Sequence, residues 1–118
     1  MTKRLRFHFP LFCVKDNKLY GTDYYDARAE LIRRWSALCE EGFNSYKTRL
    51  FIRGFECDEE LFVIYCDNEI HTEFAKVFVD VTSKYHSQLC QDCYIYEVDD
   101  VHVKVYIGEG YHESFNGI

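Results

Sequence analysis

Proline is almost missing from this chain of 118 residues: it occurs once, at position 10, and Trp and Met also occur once each. A chain this poor in proline is neither an extended spacer nor a low-complexity linker. Long apolar runs are missing too. None approaches the roughly 20 residues that a helix needs to cross a bilayer, which argues against a transmembrane helix. There is no glycine-rich phosphate loop, no adjacent nucleophile and base, and no histidine pair at metal-ligand spacing. His8, His71, His86, His102 and His112 are scattered, so the expectation is a protein that is not an enzyme and needs no cofactor. Internal repeats are absent as well.

What is present is a globular composition. Apolar residues make up 47% and aromatics 18%, with ten Tyr and ten Phe. A chain of this size buries about two-thirds of its unfolded surface in one core, so the expectation is a single domain over 1–118 with a loosely held tail at 108–118. Lys3, Arg4 and Arg6 ahead of Phe7 to Val14 superficially suggest a secretory leader. His8 and Pro10 interrupt that run, and no small-residue cleavage site follows, so the segment reads as a strand. Without a leader, the six cysteines are expected to stay reduced in a cytoplasmic protein.

Periodicity supplies the elements. Leu5, Phe7 and Phe9 alternate with Arg4, Arg6 and His8, the pattern of a strand with one buried face. Residues 11–20 read either as a hairpin about Asp16 and Asn17 or as a continuation into a loop. Tyr24, Ala27, Leu31, Trp35 and Leu38 form a helical stripe, predicting a helix over 23–41 capped by Thr22 or Asp23 and closed by Gly42. Two runs, 49–55 and 61–66, predict a hairpin whose turn is the acidic stretch 56–60. A second helix follows from Ile70, Phe74, Val77, Phe78, Val81, Tyr85 and Leu89, capped by Asp67 or Asn68. A last hairpin spans 93–98 and 101–107 about Asp99 and Asp100. The order β-α-β-β-α-β plus an added C-terminal strand predicts an α+β fold of the ferredoxin-like split βαβ kind, with two helices on a mainly antiparallel sheet.

Charge is distributed unevenly. Residues 1–53 hold 11 Lys and Arg against 6 Asp and Glu, a balance of +5, while residues 54–118 hold 3 against 14, a balance of −11. If the acidic stretches form turns, they project from the sheet and create a negative field. The plain reading is solubility. The sharper one is a protein-binding module in which Glu56, Asp58, Glu59, Glu60, Asp99 and Asp100, with Tyr94, Tyr96 and Tyr106, engage a partner with a basic surface. In character, though in no alignable motif, such a chain resembles the viral and phage inhibitors that occupy the nucleic-acid channels of host enzymes. That resemblance implies a nucleic-acid-mimicking inhibitor. A homodimer through the last strand is the alternative use of the aromatic face.

Two other readings compete. Arg53, Gly54 and Phe55 match the start of an RNA-recognition motif, and Arg4, Arg6 and Arg49 on neighbouring strands would add cations, giving RNA or single-stranded DNA binding through the sheet. Cys90 and Cys93, spaced as C-x2-C, with His86 four residues upstream of Cys90, suggest a small zinc-stabilised domain, completed by Cys57, Cys66 or His71. The competing account of the same cysteines is packing as small hydrophobes.

Overall fold

An alternation of buried and charged residues in the first strand sets the architecture. In β1 (Thr2–Pro10), Leu5, Phe7 and Phe9 are fully buried, and Arg4, Arg6 and His8 take the opposite face. The computed structural model describes residues 2–107 and 111–116. After Pro10 the chain forms a small hairpin, β2 (Phe12–Lys15) and β3 (Lys18–Gly21), with Asp16 and Asn17 at φ 54° and 57° in its turn. Left-handed positions of this kind are tolerated by Asp and Asn, which resolves the open choice at 11–20 in favour of a hairpin.

Helix α1 (Tyr25–Leu38) buries Ala27, Leu31 and Trp35. It is shorter at both ends than the expected 23–41. Neither Thr22 nor Asp23 caps it, and the last turn closes with the Cys39 N–H on the Trp35 carbonyl, so Gly42 at φ 88° belongs to the following turn. The next hairpin joins β4 (Asn44–Ile52) to β5 (Phe55–Asp67). Here the expected boundaries are wrong. Arg53 and Gly54, at φ 50° and 84°, make the turn, and the acidic stretch 56–60 lies inside β5. A two-residue turn with both positions left-handed matches strand twist, and within β5 Glu56, Asp58 and Glu60 share one face and Glu59 takes the other, each beside a basic residue.

Helix α2 (His71–Lys84) buries Phe74, Val77, Phe78 and Val81 as expected, although Asp67 and Asn68 do not cap it: Ile70 stands at the cap without a side-chain bond. The helix ends at Tyr85, and a single turn, α3 (His86–Leu89), carries Leu89 into the core before Cys90 turns left-handed at φ 57°. Strands β6 (Cys93–Val98) and β7 (Val101–Ile107) meet at the Asp99–Asp100 turn, both residues at positive φ, as expected. Beyond them β8 (Tyr111–Asn116) pairs with β7. The other residues of the expected tail, 108–110 and 117–118, lie outside the described ones.

The result is an α+β fold. Six strands run in the order β4-β5-β1-β6-β7-β8, every pairing antiparallel, with β2 and β3 as a separate pair. Helices α1 and α2 cover one face. The core centres on Phe7, whose ring lies 4.7 Å from Trp35, 5.0 Å from Phe78 and 5.5 Å from Tyr96. Trp35 donates its indole N–H to the Phe74 carbonyl at 3.1 Å, which ties α1 to α2. No helix among the described residues is long and apolar enough to cross a membrane.

Because Phe7 touches both helices and both neighbouring strands, Phe7→Ala should cost about 3–5 kcal/mol of stability. Urea unfolding followed by far-UV circular dichroism measures it. A loss under 1 kcal/mol, on the order of a surface substitution, would mean the aromatic core is not organised about this ring.

Candidate functional site

The face of the sheet away from the helices is built from the alternate residues of the same strands. Pairing registers set Arg6 beside Val63 and Glu97, and His8 beside Leu61 and Ile95. Glu59 sits two positions further along β5, opposite Pro10 and so on the same face. His8 therefore lies between two carboxylates. Its Nδ1 is 2.8 Å from Glu59 and its Nε2 2.7 Å from Glu97. Glu97, buried to 5% exposure, also faces Arg6 at 3.5 Å and His102 at 3.2 Å.

A half-buried imidazole held in this way favours its charged form. Burial alone pulls the His8 pKa down, but hydrogen bonds and charge from Glu59 and Glu97 outweigh it and hold the ring above its ordinary 6.5. For Glu97 burial pushes upward, and the hydrogen bond from His8 with the charges of Arg6, His8 and His102 brings the carboxyl below its ordinary range. With the ring protonated, both N–H groups donate, and neither nitrogen is left to act as a general base.

The same pairing extends to the other acidic residues. Glu60 receives a two-pronged bond from Arg28 at 2.7 and 2.9 Å, and Arg49 pairs with Glu56 and lies 3.9 Å from Asp58. At the far turn Asp99 meets Lys3 at 3.2 Å and accepts the Arg4 backbone N–H at 2.8 Å, while Asp100 pairs with the Arg4 guanidinium. The expectation of projecting, uncompensated negative turns is thus overturned. Glu56, Asp58, Glu59 and Glu60 are strand residues, and each of the six predicted carboxylates has within 4 Å a Lys or Arg or, for Glu59, the His8 ring, all from the first half of the chain. Of the predicted aromatics, Tyr94 and Tyr96 point into the core at 2% and 5% exposure because their parity is that of Phe7, and Tyr106 alone reaches solvent.

The alternative residues fare similarly. Arg4, Arg6 and Arg49 are engaged as described, and Arg53 lies 3.9 Å from Asp92. Phe55 begins β5 opposite Ile52, half-buried. Cys90 is exposed, Cys93 is half-buried on the open face, and His86 directs Nδ1 to the Tyr94 hydroxyl at 3.2 Å. No group of three or more metal-ligating side chains converges among the described residues.

Sequence reasoning did not single out β4. It is one of the two edge strands of the sheet, β8 being the other, and Tyr46, Leu50 and Phe51 are exposed on it, Phe51 to 72%. Its residues are exposed on both faces, since the helices lie over β5, β1 and β6. A cavity opens on each side of it. One, of about 230 Å³, lies under β2 against Leu50 and Ile52. The other lies beside Ser45 and Lys47, near Tyr24, Tyr25 and Arg28. The sequence signal for an uncovered strand was weak: Ser45, Lys47 and Arg49 occupy the parity that a core strand fills with apolar residues.

Comparison with protein-family models, with curated proteins and with solved structures finds no match to this chain.

Because its folded-state pKa is raised, His8 contributes stability that is fully present below pH 6.5 and is lost as pH rises through the higher folded value. His8→Ala should cost about 1–3 kcal/mol at about pH 6 and less at about pH 9. Urea unfolding at the two pH values measures the difference, and an equal penalty at both would show that the ring acts only by packing.

Proposed function

We propose that this protein works by binding another protein, acting by association and not by catalysis, and that the edge of β4 is the surface it uses. The supporting observation is the state of that strand. Three of the eight large hydrophobic side chains exposed among the described residues, Tyr46, Leu50 and Phe51, belong to these nine residues at the sheet's margin. An open edge is a template for a further strand, and an extended segment added there gains main-chain hydrogen bonds as well as side-chain contacts.

The proposed segment is matched to the two faces of β4. In the two-residue turn at Arg53 and Gly54, Ile52 and Phe55 form the closing hydrogen-bonded pair, so counting back by twos residues 45, 47, 49 and 51 present their backbone groups to the free edge. Lys47, Phe51 and Arg49, the last already paired with Glu56, share one face there, and Tyr46 and Leu50 share the other. A partner strand alternating acidic with apolar residues complements both faces, each opposite-charge pair adding about 0.2–1 kcal/mol. Self-pairing fits less well. A symmetric antiparallel register centred on Thr48 sets Lys47 against Arg49 of a second copy.

This reading keeps a protein partner and reverses the expected sign at the contact, from basic to acidic. It gives up nucleic-acid mimicry, which required unpaired carboxylates. We also read the core as a ferredoxin-like split βαβ unit. That is supported by β5 lying between β4 and β1, with the β2–β3 hairpin inserted before α1 and with β7 and β8 appended.

The test combines capture with mapping. Partners taken from the source lysate are bound to the purified protein, and hydrogen exchange is followed by mass spectrometry. Protection should appear at amides 45, 47, 49 and 51 and vanish in Lys47→Pro, which removes one edge donor but leaves the β4–β5 ladder intact. Protection confined to the Asp99–Asp100 turn would reject the assignment. So would tight, salt-sensitive binding of single-stranded RNA or DNA with no protein captured.

A further inference from the structure

Where β1 ends at Pro10, β5 and β4 run on, and this overhang leaves a notch at one end of the open face. The β2–β3 hairpin stands on one side of the notch and residues 91–95 on another, enclosing the cavity of about 230 Å³. Its apolar walls are Phe12, Val14, Leu50, Ile52, Cys57 and Ile95, with His8, Asp58, Glu59 and Gln91 among the polar ones. Across the mouth, Arg53 and Asp92 face each other at 3.9 Å with side chains 60% and 94% exposed. A pair so fully in water is worth little and parts readily.

We infer that this cavity is a binding site for a small, neutral aromatic molecule of one or two fused rings. Size sets the upper bound, since an apolar cavity of about 150 Å³ accepts benzene, and the larger space here accommodates an indole-sized bicycle. Neutrality follows from the polar groups at the wall. Both nitrogens of His8 are taken by Glu59 and Glu97, and Arg53, Asp58 and Asp92 at the rim stand largely in water, where a pair with a charged ligand returns little against the water that ligand gives up. Preference for an aromatic over a saturated ring follows from the thiols of Cys57 and Cys93 and from the imidazole ring of His8, held toward its charged form by Glu59 and Glu97, all lining the cavity. Sulfur and cations both interact favourably with π-systems.

The inference does not rest on the β4 edge as a docking surface, and its test uses no partner. Indole is titrated into the full-length protein while amide resonances are followed by two-dimensional NMR. The expected result is saturable shifts clustered at Val14, Cys57 and Ile95, with a dissociation constant below about 1 mM. Phenol should bind more tightly than cyclohexanol, which has the same heavy-atom count and hydroxyl. Val14→Trp, on the small hairpin, and Ile95→Trp each fill the space and should weaken indole binding at least about tenfold. In the unaltered protein, saturating indole should slow alkylation of the Cys57 thiol. Shifts that do not saturate at millimolar indole, equal binding of phenol and cyclohexanol, or unchanged alkylation of Cys57 would each overturn the assignment.

Discussion

Pairing between the cations of the first half of the chain and the carboxylates of the second is the interaction on which the rest of this structure depends. Strand β1 makes it possible by running through the middle of the sheet with one face in the core and the other carrying Arg4, Arg6 and His8. Placed there, two guanidinium groups and an imidazole meet carboxylates from β5 on one side and from β6 and its turn on the other. Leaving Glu97 buried without those partners would cost several kcal/mol, more than a typical surface contact returns. The central strand therefore organises the hydrophobic core and balances the charge of the open face at the same time.

Much of the fold was legible because it is written in periods. The alternation of β1, the stripe of α2 and the Asp99–Asp100 hairpin are local patterns, and local patterns survive folding. The error at residues 56–60 has an equally local cause. Polar residues in a row resemble a turn, whereas the true turn, Arg53–Gly54, was read as part of an RNA-binding fragment. A glycine preceded by a residue able to go left-handed is the stronger turn signal. The helix ends were misplaced for a related reason: Thr22, Asp23, Asp67 and Asn68 are good capping residues by type, but none of them supplies a cap.

The candidate site was far less legible. That His8 lies outward followed from its parity with Arg4 and Arg6, but that Glu59 and Glu97 close on it depends on the registers of two strand pairings 51 and 89 residues distant. Nothing in one sequence states those registers. The burial of Tyr94 and Tyr96 has the same origin, since either face was open to β6 until its pairing with β1 was known. Charge imbalance between sequence halves proved a poor guide to surface charge because the sheet interleaves the halves. Once the carboxylates are balanced, what distinguishes the surface is an uncovered margin, β4, and a notch beside it.

Carboxyl titration by ¹³C NMR tests the central pairing most directly. The account predicts midpoints below 4.5 for Glu60 and Glu97 and below 3.8 for Asp99, because each carboxylate is held charged by Arg28, by His8 with Arg6, and by the Arg4 amide with Lys3 respectively. Midpoints at or above those values would mean that the carboxylates stand apart from the cations of the first half, and the interleaved charge balance described here would be contradicted.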